Sequence, residues 1–273
     1  MEERIVRVGP VSLAARSWHR PSGPCVILVH GLGHNMETWG SLVPLLRDFC
    51  TVVAFDRRGH GHSSDATDYR AATLANDVGA IASSYAITDP ILVGHSIGAW
   101  DCLRYAERGS ACAVICLDQA IASDDPVWRG SLDTTESPND RGYSDAEIAE
   151  HFAHGAATLG EAAWREIYGP MNQRAIVRRP DGLFYYRPDS RNLREIRSAW
   201  RTFAAGGEPY DNIDCRVVVV LAHRNTGPIH DALERLIARR SVEFVNADTD
   251  HDVHIQQPRL IADLIRELGI PSH

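Results

Sequence analysis

The sequence predicts an α/β protein: a mostly parallel eight-stranded sheet with helices on both faces. Three observations carry this. Short, continuous apolar runs recur along the chain, helical patterns fall between them, and one long stretch interrupts the alternation.

The elements follow in order. Residues 4–17 read as two short strands broken by Gly9-Pro10. Cys25-Val26-Ile27-Leu28-Val29 is the first continuous apolar run, as expected of a parallel strand covered on both faces. Thr51 to Phe55, Pro90 to Val93, Cys112 to Leu117, Val217 to Leu221 and Val242 to Val245 continue the series. Thr38 to Leu46, Thr73 to Tyr85, Ile97 to Glu107, Ile229 to Arg239 and Pro258 to Leu268 have apolar faces at helical spacing. Strand and helix in this order mean βαβ units.

The alternation fails over residues 120–212. This stretch is rich in aromatics, among them Trp128, Trp164, Tyr185 and Trp200, and is too long for a plain loop. Segments around Asp145 to Gly155 and Glu161 to Tyr168 look helical. We expect residues 1–119 and 213–273 to form the core, and 120–212 a helical cap.

Composition narrows the function. The 273 residues suffice to bury a core without disulfides or metals. A net charge of −8 argues against nucleic acid or an anionic membrane as partner. All 28 basic residues are arginine, which excludes a Schiff-base lysine and a Walker lysine within this chain. No run approaches the roughly 20 apolar residues needed to cross a bilayer, and the N-terminus lacks an apolar signal region. The six cysteines form no C-x-x-C pair and read as buried thiols of a cytoplasmic protein. The expected partner is a small-molecule substrate, with homo-oligomerisation left open.

Chemistry enters at Gly94-His95-Ser96-Ile97-Gly98, between a strand and a helix. In that context G-x-S-x-G is a nucleophile elbow: flanking glycines let strand and helix approach while the serine hydroxyl projects. His30-Gly31-Leu32-Gly33 follows the first buried strand. There the Leu32 N–H is the natural partner of the Ile97 N–H in an oxyanion site. A serine hydroxyl needs a base. Of thirteen histidines, His251 and His254 lie between the last strand and the last helix, and His251 comes first after the strand. The acid is either Asp118, at the end of the preceding strand, or Asn225, in the loop 222–227, which has no carboxylate. We favour Asp118, which keeps the chain order Ser, Asp, His. Asp56 to Ser63 is read as a bracing turn, and its His60 and His62 as structural rather than metal-binding. No cofactor or metal site is expected.

These motifs, with Gln256-Gln257-Pro258 after His251, resemble the α/β-hydrolase superfamily over the whole chain except the cap. The resemblance implies an α/β-hydrolase fold, Ser96 as nucleophile and His251 as base. Leu117 to Ile121 is similar to the acid-bearing segment of haloalkane dehalogenases, which use an aspartate nucleophile. The cofactor-free quinolone dioxygenases also carry an aspartate at that position. Three functions follow as expectations. The first is hydrolysis of a carboxylic ester or thioester of a small apolar or aromatic substrate through an acyl-serine. The second is cofactor-free dioxygenation of an N-heteroaromatic substrate by a His251/Asp118 dyad. The third is ligand reception without turnover.

Overall fold

The computed structural model describes residues 1–118, 140–204, 213–224 and 242–269, with the side chains of 200–204 left aside. Its main sheet has eight strands in the order β1-β2-β4-β3-β5-β6-β9-β10. β1 (Glu2–Val8) and β2 (Val11–Trp18) form the antiparallel edge, with β2 pairing antiparallel to β4 (Thr51–Phe55). β3 (Cys25–Val29), β5 (Ile91–His95), β6 (Ala113–Leu117), β9 (Arg216–Ala222) and β10 (Val242–Ala247) join β4 in a parallel array.

Side chains along a strand alternate between faces, and so does the core. Ile27, Val29 and Leu92 pack into one cluster, with Val78, Ile81 and Leu103. Val26, Leu28, Ile91 and Val93 pack into the other, with Trp39, Leu46 and Ile265. The first layer is covered by α1 (Ala71–Ser84) and α2 (Ile97–Ala106). Both faces of the parallel strands are therefore apolar, which is why their sequences read as unbroken runs.

The chain steps from β3 to β4 on one side and returns to place β5 on the other side of β3. In such a sheet the crevice at the carboxyl ends of the strands, where the order reverses, is the place for a ligand. The turns after β3, β5 and β6 open there.

Two sequence readings differ from the structure. The expected helix Thr38 to Leu46 is split into a 3₁₀ segment, Met36–Ser41, and a short α-turn, Val43–Leu46, with Pro44 in its first turn. Residues 140–204 are also not helical throughout. α3 (Asp145–Leu159), α4 (Gly169–Ala175) and α5 (Ser190–Ala204) are accompanied by a hairpin of β7 (Ile176–Arg178) and β8 (Phe184–Tyr186). The Phe184-Tyr185-Tyr186 run is a β-favouring signal too short to stand out against helix periods on either side. Ser144 and Glu147 close a capping box at the start of α3. Asn225, Trp128 and the expected helix Ile229 to Arg239 lie outside the described residues.

Candidate active site

Ser96 stands between β5 and α2 with φ 51° and ψ −128°. Positive φ is strained for a residue with a Cβ, and it persists only where neighbours over-determine it. Here the two motif glycines make it affordable. A Cβ on Gly94 would lie 2.3 Å from Ala99 Cα, and one on Gly98 would lie 2.4 Å from Val29 O. Neither contact has room for a methyl group. The Ser96 N–H donates to Leu117 O at 2.9 Å, fixing the turn to β6. The hydroxyl sits at the positive end of α2, with Ser96 8% exposed.

The loop after β3 passes directly over the elbow. A Cβ on Gly31 would be 3.1 Å from Ser96 Cβ. His30 anchors this loop: its Nδ1–H donates to Gly31 O at 2.8 Å, and its Nε2 accepts from the Arg57 N–H at 2.9 Å. Burial holds His30 neutral, its pKa well below the usual histidine range. Ile97 opens its helix, so its N–H has no carbonyl one turn back to meet. Among the described residues the Leu32 N–H has no recorded acceptor either.

His251 and Asp118 meet although 133 positions separate them. His251 Nδ1 lies 2.6 Å from Asp118 Oδ2. The other carboxylate oxygen of Asp118 accepts the Ala222 N–H at 3.0 Å, and the Asp118 N–H donates to Val220 O at 2.8 Å. Asp118 too has a positive φ, 44°, and its side chain is 1% exposed. His251 is held beside the elbow through the residue preceding Ser96. His95 Nε2–H donates to the His251 carbonyl at 3.0 Å, and the two rings lie 4.6 Å apart. His254 is placed differently. It is fully buried and its Nε2 meets Thr38 Oγ1 at 2.6 Å.

The Asp56 to Ser63 turn carries no exposed reactive group apart from His62. Asp56 is fully buried and accepts the Met36 and His62 N–H groups at 2.8 Å each and Arg174 Nε at 2.7 Å. Arg58 makes a paired contact with Asp77 at 2.6 Å, and Arg57 Nε meets Asp101 at 2.6 Å. Arg174 belongs to α4, so the turn also fastens the segment 140–204 to the sheet. The sequence showed the turn but not this partner, which stands 118 positions away.

A shallow pocket opens beside the elbow. Leu74, Ile97, Ile196 and Ala199 supply apolar walls, and Arg57 and Tyr69 polar ones. Ile97 is the elbow residue on its wall, and neither Ser96 nor His251 lines it.

The family model described as "Alpha/beta hydrolase family" matches residues 26–264, and the chain belongs to that family. An uncharacterized protein of Mycobacterium tuberculosis is 37% identical over 86 residues, 31% of this chain and 25% of that protein. The 2-(acetamidomethylene)succinate hydrolase of Mesorhizobium japonicum is 37% identical over 106 residues, 38% of this chain and 37% of that protein. The chain thus matches only a quarter to two-fifths of the length of these curated relatives. Among solved structures, E-2-(acetamidomethylene)succinate hydrolase superposes with a TM-score of 0.77 at 22% identity over 98% of both chains. The thioesterase domain from the curacin biosynthetic pathway gives 0.75 at 20% identity, over 97% of this chain and 99% of that one. AqdC, which recognises and ring-cleaves the Pseudomonas quinolone signal, gives 0.70 at 20% identity, over 98% of this chain and all of the other. At these identities the likeness shows the α/β-hydrolase fold and no more. Among the described residues no helix is long and apolar enough to cross a membrane.

Proposed function

We propose that the protein hydrolyses a carboxylic ester or thioester of a small apolar or aromatic substrate through an acyl-serine. One observation carries the reading: a serine held at φ 51° at the head of a helix, whose preceding residue His95 holds a histidine that meets a buried aspartate through Nδ1 at 2.6 Å. In this mechanism His251 Nε2 takes the Ser96 proton as Oγ bonds to the substrate carbonyl carbon. The oxyanion is stabilised by the Leu32 and Ile97 N–H groups. Asp118 fixes the histidine tautomer and stabilises the imidazolium. His251 then gives its proton to the leaving alcohol or thiol as the C–O or C–S bond breaks. Water, deprotonated by His251, attacks the acyl carbon and releases the acid and Ser96. Residues 140–204 supply Ile196 and Ala199 to the pocket wall, and the enzyme acts without a cofactor.

Replacing Ser96 by Ala tests this. Turnover of p-nitrophenyl acetate should fall on the order of 10⁴-fold or more, and a fluorophosphonate should label the wild type at Ser96 alone. Unaltered turnover in the variant refutes the nucleophile role.

A second reading draws support from the position of the acid. Asp118 follows β6, where the quinolone dioxygenases carry theirs. There His251 with Asp118 deprotonates an aromatic hydroxyl, dioxygen attacks the resulting anion, and Ser96 only binds substrate. Oxygen uptake with heterocyclic phenols, retained in Ser96→Ala and lost in His251→Ala, would favour it over hydrolysis.

A further inference from the structure

Behind the reacting groups lies a cluster that neither mechanism uses. His34, His95, Asp252 and His254 each offer a ligand atom, all within 4.8 Å of one another. They come from three separate places: the turn after β3, the end of β5 and the segment after β10. Asp252 Oδ1 is 3.8 Å from His34 Nε2 and 3.7 Å from His95 Nε2. The rings of His34 and His95 are stacked at 5.3 Å, and those of His95 and His254 lie 4.5 Å apart.

The cluster leaves buried polar atoms without partners: Asp252 Oδ1 and His254 Nδ1 have no hydrogen bond. His95 is 1% exposed and His254 0%. Unsatisfied buried groups are costly, and two in one spot call for a cause. One hydroxyl organises the imidazoles from behind: Thr38 Oγ1 lies 2.6 Å from His254 Nε2 and 3.3 Å from His34 Nδ1. That leaves His34 Nε2 and His254 Nδ1 as the remaining ring nitrogens. Ligating histidines are commonly oriented in this way through their far nitrogen.

We propose that His34, His95, Asp252 and His254 form a binding site for a divalent transition-metal ion of the zinc class. Three imidazoles and one carboxylate are a tetrahedral zinc donor set. Such an ion, with bonds of about 2.0–2.1 Å, holds its donors roughly 3.4 Å apart. Two of the observed spacings need to close by only a few tenths of an ångström. The others lie within 4.8 Å, and His34 and Asp252, with side chains 20% and 29% exposed, are the members freest to adjust. His95 Nε2 gives up its proton on ligation, and the His251 carbonyl, 3.0 Å from that nitrogen, swings aside to admit the ion. Neither Ser96 nor His251 is a ligand, so metal binding can be tested whether or not the hydrolytic reading stands, although His95 also ties down His251.

The test uses the full chain, stripped with a chelator and without substrate. Co²⁺ should bind with one equivalent and give the visible absorption of a tetrahedral ion, and Zn²⁺ should displace it. Zn²⁺ should also raise Tm in proportion to the logarithm of its concentration. His34→Ala and Asp252→Ala should each weaken binding at least roughly tenfold, while His19→Ala, at an exposed strand end, leaves it unchanged. No tetrahedral Co²⁺ spectrum in the wild type overturns the proposal, and that measurement needs no variant to fold. Equal affinity in wild type, His34→Ala and Asp252→Ala overturns it as well, since the ion would then sit on other histidines.

Discussion

Two aspartates end two strands of the same sheet, and they differ in what is left over. Asp56 ends the β4 side and Asp118 the β6 side, and both are buried at 3% exposure or less. Asp56 is closed on all sides by two backbone N–H groups and the Arg174 guanidinium. Asp118 uses one oxygen on Ala222 and turns the other to the imidazole of His251, which is 37% exposed. A carboxylate whose acceptors are filled by the protein is a brace. One that passes its charge to a group facing solvent is positioned to take part in a reaction.

The largest effect should come from breaking the open aspartate. Asp118→Asn should lower kcat for p-nitrophenyl acetate about 10³- to 10⁴-fold by favouring the wrong histidine tautomer, with circular dichroism and Tm little changed. Asp56→Ala should do the reverse. It strands Arg174 and two N–H groups, and the loss of stability should be about 3–5 kcal/mol in a urea titration, with kcat of the folded fraction nearly kept. If Asp56→Ala abolished kcat without lowering stability, the contrast between the two would fail.

A smaller effect concerns pH on the Asp56 side. His60 is fully buried, and burial first, then the Arg57 charge, lowers its pKa to about 3. Arg187 and His34 add to this, while its bond to the Arg58 carbonyl opposes it. The unfolded chain takes up a proton below about 6.5 and the folded chain does not. His60 thus favours the folded state fully above that pH, and the contribution is lost as pH falls toward 3. The limiting slope is about 1.4 kcal/mol per pH unit for this group. Urea midpoints between pH 7 and 5 should decline, and His60→Gln should flatten the decline. The smallest effect is local. Ser144→Ala removes the cap of α3 and should cost about 1 kcal/mol, read as faster amide exchange in the first turn of that helix.

What the sequence disclosed and what it withheld have physical reasons. The parallel strands were legible because two covered faces make an unbroken apolar run. The elbow was legible because two close backbone approaches demand glycine at fixed spacing around Ser96. Asp118 was legible only as a residue at a strand end; its contact with His251 depends on the order of strands, which no local pattern encodes. Arg174 was invisible as a partner of Asp56 because nothing in Gly169–Ala175 distinguishes one arginine from the others. The cluster of His34, His95, Asp252 and His254 was hidden for the same cause, being assembled from three separate places. In the sequence His254 stands out only as a competitor of His251.

The polar ties between Arg174 and Asp56 have one more consequence. They are joined by Asn35, whose amide donates to Met171 O at 2.8 Å, and by Arg187, which donates to Gly61 O at 2.8 Å. The segment 140–204 is therefore riveted where α4 and the hairpin meet the sheet, whereas α3 buries none of its residues. Stiffness is graded along it, firm at the root and yielding toward α3. Breathing of this flap would begin at its outer helix, and fast amide exchange there should precede any loosening around Arg174.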